Sequence, residues 1–169
     1  MRRTDRELDA TFTDLFLPIF RPAQRILAAA RRLADAPAVV ASCALSARYR
    51  SVNPRITDGY VGRSKDAVFV ADALYAAGFA PPVSAGSCRD PVDWPLLSQL
   101  FVTLGPQQAA RSGDLLCVDG HVEILVRLGP GPPETLGARR NGLVQDACYA
   151  RLLRLGACQL LRPRLEPPI

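Results

Sequence analysis

Apolar positions recur first at helical spacing and later at strand spacing. Thr4-Asp5-Arg6-Glu7 has the form of a capping box, with Leu8, Phe12, Leu15 and Phe16 following at helical intervals until Pro18. A second helical segment starts near Pro22, carries Ile26, Leu27 and Leu33 among alanines, and stops at Asp35-Ala36-Pro37. Val39 to Ala47 is apolar almost all round, which predicts a buried third helix with Cys43 as a core thiol. Ser51 to Lys65 contains Asn53-Pro54, Asp58-Gly59 and Gly62 and reads as a loop. Asp66 to Gly78 is helical by propensity, has Ser64 available as a cap, and ends at Gly78 ahead of Pro81-Pro82. Nearly every face of this segment is apolar, which predicts a central helix packed between other layers.

Beyond it, Asp93, Trp94, Leu96, Leu97, Leu100 and Phe101 lie at helical spacing, with Trp94 as a core residue. The period then changes to two. Leu115, Leu116 and Cys117 form a short apolar run, Asp119-Gly120 is a tight-turn signal, and Val122, Ile124 and Val126 read as alternating with more polar neighbours. This predicts a β-hairpin with His121, the single histidine of the chain, at the start of its second strand. Taken alone, a histidine beside a turn reads most simply as satisfying a local hydrogen bond. Leu143-Val144 and the Leu152 to Leu161 stretch fit strands or a helix, and Pro163, Pro167 and Pro168 break the pattern afterwards.

With 169 residues, 49% of them apolar and 22% charged, the sequence predicts one globular domain. It divides into a helical N-terminal part, 1–50, and a core, 60–165. The net charge of +5 comes with arginines scattered from Arg2 to Arg164, so a nucleic-acid groove is not indicated and only a mild preference for anionic partners follows. Met1-Arg2-Arg3 resembles the start of a signal peptide, but Asp5, Glu7, Asp9 and Asp14 interrupt its apolar segment. No run approaches membrane-spanning length, and the expectation is synthesis in the cytoplasm without a signal peptide. Five cysteines without C-x-x-C spacing, beside one histidine, make a zinc site or other cofactor unexpected and free thiols the default. Cys88 falls in an exposed type of loop, Cys117 in a packing position, and Cys148 and Cys158 read as core residues or a redox pair.

Several of these features occur in an order that resembles the NlpC-type and CHAP-type amidases of the papain-like superfamily. In that family an aromatic-and-glycine loop precedes Asp-Cys at the start of a buried helix, which ends in Ala-Gly. Gly-Asp-Leu then comes on one strand and Gly-His-Val on the next. Here the counterparts are Tyr60-Val61-Gly62, Asp66-Ala67, Ala76-Ala77-Gly78, Gly113-Asp114-Leu115 and Gly120-His121-Val122. The separation 121 − 67 = 54 residues is similar to that in the family. The likeness covers roughly residues 60–126, and the pairing of Gly-Asp-Leu with Gly-His-Val is its most specific part. It implies an α+β, papain-like fold with N-terminal helices and a central buried helix packed on an antiparallel sheet.

The resemblance also implies acyl transfer to water. A thiolate at position 67 would attack an amide carbonyl, with His121 as its base and then as the acid that protonates the leaving amine. First-turn amides near Ala67 and Val68, with the Tyr60 loop, would hold the oxyanion. Unpaired amides and the helix dipole would favour thiolate at that position. For the group that orients the imidazole, Asn141 and Glu134 are candidates, as is a backbone carbonyl, and Arg139 aligns where some relatives carry asparagine. The decisive departure is Ala67 itself, since a methyl group cannot attack a carbonyl. The chain as written is expected to be inactive, either through a Cys-to-Ala substitution or as a natural pseudoenzyme that binds without reacting.

No repeat, linker or wall-anchoring module is legible. Unsignalled amidases of this type resemble the antibacterial toxins delivered by type VI secretion systems, which cut peptidoglycan stem peptides in the target-cell periplasm and are neutralised by an immunity protein. The expected partners are therefore peptidoglycan stem peptides and a cognate immunity protein, with neither nucleic acid nor membrane. A papain-fold deamidase or protease acting on a host protein is the alternative.

Overall fold

The computed structural model describes residues 22–44, 49, 51–52, 65–79, 100–105, 108–118, 121–152 and 158–164. Over these residues the chain is α+β. Three helices, α1 (Pro22–Asp35), α2 (Pro37–Ala44) and α3 (Lys65–Ala76), accompany a six-stranded sheet. Its strands are β1 (Phe101–Thr103), β2 (Leu115–Val118), β3 (His121–Arg127), β4 (Glu134–Arg139), β5 (Gly142–Asp146) and β6 (Gln159–Pro163). The order is β1-β6-β2-β3-β4-β5 and every neighbouring pair is antiparallel.

The α3 helix is the core element. Each residue from Lys65 to Leu74 is buried, and it packs against α1 on one side and β3 and β4 on another. Phe69 and Leu74 are completely covered; burying a side chain of that size contributes about 1.5–3 kcal/mol relative to exposure. The helix ends as its sequence predicts. Gly78 adopts φ +85°, the Phe79 amide donates to the Leu74 carbonyl at 2.9 Å, and the Gly78 amide donates to Tyr75 at 2.9 Å. This Schellman geometry satisfies carbonyls that the last turn leaves without partners. The Arg25 guanidinium of α1 donates to the Ala77 carbonyl and lies 5.6 Å from the centre of the Phe79 ring. A Cβ at Gly78 would come within 2.5 Å of that guanidinium, which could swing aside, so it is the positive φ that requires glycine there.

At the other end of α3, the Lys65 ammonium donates to the Cys43 carbonyl in the last turn of α2 and to the Arg140 carbonyl between β4 and β5, the latter at 3.0 Å. A cation at a helix C-terminus meets the negative end of the dipole. The contact fixes the start of α3 against both neighbours.

The hairpin expected around His121 is present as β2 and β3, paired Leu115↔Ile124, Cys117↔Val122 and Val118↔His121, while the Asp119-Gly120 turn lies outside the described residues. Leu115, Cys117, Val122, Ile124, Val126, Leu136 and Ala138 join the core with the helices. Leu116 and Leu125 are equally buried outside that cluster, so β3 is covered on both faces.

Other expectations change. Within its described span, Pro37–Ala44, the α2 helix buries only Val39, Ser42 and Cys43, with Val40 exposed. An apolar surface does not by itself dictate all-round burial, because only the face turned to α1 and β5 finds a partner. Phe101 belongs to a strand rather than to the helical pattern ahead of it, because pairing with Pro163 of β6 takes it into the sheet. Gly113 and Asp114 form a turn before β2, where Gly113 adopts φ +91° and a Cβ would run into the Ala23 backbone. Cys148 is exposed and Cys158 partly exposed, both as free thiols, while Cys43 and Cys117 are buried as expected. Thr4 to Phe16, Tyr60, Ser64, Cys88 and Trp94 lie outside the described residues.

Candidate functional site

The first turn of α3 and the first residues of β3 meet at the end of the sheet, joining the two segments on which the sequence placed its chemistry. The residue that makes the junction is Asp66. Its Oδ2 lies 2.6 Å from His121 Nδ1 and accepts the Val122 amide at 2.9 Å. One carboxylate thus fixes both the imidazole and the backbone that carries it. Ala67, the position expected to carry a nucleophile, is buried in the same turn beside Val68. Successive helical residues leave the axis about 100° apart, so the Ala67 methyl points in a different direction from the Asp66 carboxylate that reaches the ring.

On the opposite edge of the imidazole, His121 Nε2 lies 3.0 Å from Glu123 Oε1. Residues two apart on a strand share a face, and Glu123 is completely buried. A carboxylate in that position requires partners, and it has three besides the histidine contact. Arg139 Nε donates to Oε1 at 2.8 Å, Arg139 Nη2 donates to Oε2 at 3.2 Å, and the Thr135 hydroxyl donates to Oε2. Space is supplied by Gly137 on β4, where a Cβ would come 2.6 Å from Glu123 Cγ. Arg139 continues outward to Asp146 through two further bonds of 2.8 and 2.9 Å, and Asp146 accepts the Cys148 amide.

Charges therefore alternate from Asp66 through His121, Glu123 and Arg139 to Asp146. Tyr149 covers the middle of this chain, with its ring centre 4.4 Å from that of His121 and 4.6 Å from Arg139 Cζ. The negative face of its π-system is offered to two cations.

The lattice determines protonation. Burial of the imidazole works against its charged form, but the hydrogen bonds and charges of Asp66 and Glu123 outweigh it and hold the pKa up to about 9. For Glu123, burial favours the neutral acid, and His121, Arg139 and Thr135 together overcome it and lower the pKa. Desolvation opposes the charge on Arg139 too, and Glu123 and Asp146 more than restore it. At neutral pH both ring nitrogens of His121 carry protons and donate them to carboxylates. A ring in that state has no lone pair with which to take a proton from a nucleophile.

Of the residues proposed from sequence, the structure brings the Ala67 turn and His121 together. It gives the other two candidates different work. Both Glu134 oxygens are occupied, Oε1 by Arg127 at 2.5 Å and Oε2 by Gln145 at 2.9 Å, and Asn141 sits in the exposed turn between β4 and β5. The group at Nε2 is Glu123, which sequence reasoning passed over. Its signal was present, since a carboxylate inside His-Val-Glu-Ile-Leu-Val is costly unless paired. Asp114, from the Gly-Asp-Leu motif, accepts a two-pronged contact from Arg162 at 3.0 and 2.8 Å and so ties β6 to the turn before β2. Its role is architectural.

Among the described residues, no group of three or more histidine, cysteine or acidic side chains is arranged to hold a metal ion, and no helix is long and apolar enough to cross a membrane. Comparison with family profiles, curated proteins and solved structures finds no match to this chain.

Proposed function

We propose that this chain is built on the plan of a papain-like peptidoglycan amidase and, as written, binds wall peptides without cleaving them. The observation that carries the reading is the clamped imidazolium. A buried helix presents its first turn to a lone histidine on a hairpin strand, as an amidase of this plan requires, yet the histidine donates both protons to carboxylates. Position 67 offers no nucleophile, and the ring beside it offers no base. The +5 net charge favours a carboxylate-rich polymer.

Co-sedimentation with purified sacculi tests this directly. The expected result is retention in the pellet with no release of stem-peptide fragments by mass spectrometry. Failure to sediment, or release of fragments by the chain as written, overturns it.

A second reading is favoured by the helix turn lying beside the histidine. In it, Ala67 replaces a cysteine and the parent protein is an active stem-peptide amidase, exported as a toxin and held in check by an immunity protein. Ala67→Cys directed to the periplasm would then lyse cells and digest sacculi.

A further inference from the structure

We infer that position 66, rather than position 67, is where this fold holds a group against the imidazole, so that Asp66 occupies the place of a nucleophile and Glu123 the place of the residue that orients the ring. The inference rests on the amidase plan proposed above and assigns its positions. Three observations carry it. Asp66 Oδ2 is 2.6 Å from His121 Nδ1, the shorter of the two carboxylate contacts to that ring among the described residues. The same oxygen takes the Val122 amide, so its placement is fixed from two directions. Glu123 meets the far nitrogen at 3.0 Å and is itself held by Arg139 and Thr135, which leaves the ring one orientation.

The consequence concerns Asp66→Cys. A sulfur at that position replaces the carboxyl carbon, and its larger radius compensates for the shorter reach. With Asp66 gone, Nδ1 recovers a lone pair while Nε2–H still donates to Glu123. The thiol proton then passes from Sγ to Nδ1, leaving a thiolate beside an imidazolium at a helix N-terminus, the setting that lowers a cysteine pKa. Ala67→Cys puts its thiol about 100° further round the helix, at a position that is buried, where desolvation raises a thiol pKa.

Thiolate absorbance near 240 nm, followed against pH as a difference from the unaltered chain, separates the two positions. The expected result is a thiolate titrating below about pH 7 in Asp66→Cys, lost when His121→Ala is added, and none below about pH 8.5 in Ala67→Cys. A low-pH thiolate in Ala67→Cys and not in Asp66→Cys overturns the assignment. Should Asp66→Cys fail to fold, the single imidazole serves as the probe by NMR. Its pKa drops toward the ordinary value in Asp66→Asn and stays put in Ala67→Ser if position 66 faces it, and the reverse pattern refutes the assignment. Neither readout involves peptidoglycan, so this inference and the binding proposal fail independently.

Discussion

The α3 helix carries two buried carboxylates six residues apart, and they are satisfied in opposite ways. Asp72, at 0% exposure, takes the Ser51 hydroxyl on Oδ1 and the Val52 amide at 2.9 Å on Oδ2. These donors are neutral, and their effect is to pin residues 51–52 to the helix. Tyr49 packs nearby, edge-on to Phe69 at 6.4 Å; burial, together with the neighbouring Asp72 charge, pushes its phenol pKa up, so it too stays neutral. Asp66 instead faces a charge and belongs to a lattice of five ionisable groups. The difference separates a carboxylate that organises backbone from one that sets a proton's position. It also explains why the first turn of α3, and not its middle, is the chemically interesting end.

The largest expected effect comes from breaking the lattice at its centre. Removing one member of a buried ion pair leaves the others desolvated and unmatched, which typically costs about 3–5 kcal/mol. Glu123→Ala takes one carboxylate from each of two cations at once, leaving His121 with Asp66 alone and Arg139 with Asp146 alone, and should lower the denaturant midpoint by up to that amount. Asp72→Asn disturbs the neutral Ser51 and Val52 donors and should cost about 1–3 kcal/mol. Equal losses in the two variants would erase the distinction between the two ends of the helix.

A smaller effect, specific to the charged end, lies in the pH dependence of folding. The folded imidazole pKa, near 9, stands above the unfolded value of about 6.5. The imidazolium therefore contributes stability that is complete below about pH 6.5 and is lost as pH rises through 9, about 3 kcal/mol in all. Burial raises the pKa of Cys43, so that thiol stays neutral over the same interval. Urea unfolding at pH 6 and pH 9 should show the loss in the unaltered chain and in Asp72→Asn. In Asp66→Asn it should shrink. An unchanged slope in Asp66→Asn would detach that carboxylate from the imidazole.

Much of the framework was legible in residue order because its signals are local. Gly78 ends α3, alanine-rich spacing marks α1, and the alternation around His121 gives the β2–β3 hairpin. All-round burial of Val39 to Ala47 was not legible, since an apolar run says nothing about which of its sides finds a neighbour. The site was half legible. The order of motifs that resembles the amidases pointed to the start of α3 and His121 as one site, but choosing between positions 66 and 67 depends on the rotation of a helix relative to a strand 121 − 66 = 55 residues away, which no local pattern encodes. Arg139 and Glu123 were obscured for a related reason. Their meaning comes from side chains that meet diagonally between β3 and β4 beside Gly137, and that relation exists only once the two strands are in register.

The central claim is that the one imidazole of this protein is a clamped cation. Because the chain contains a single histidine, its ring resonances in an NMR pH titration need no assignment by mutation. The account predicts a midpoint near pH 9. A midpoint near the ordinary value of about 6.5 would mean that the ring is free to act as a base, and the reading of a closed reaction centre would be contradicted.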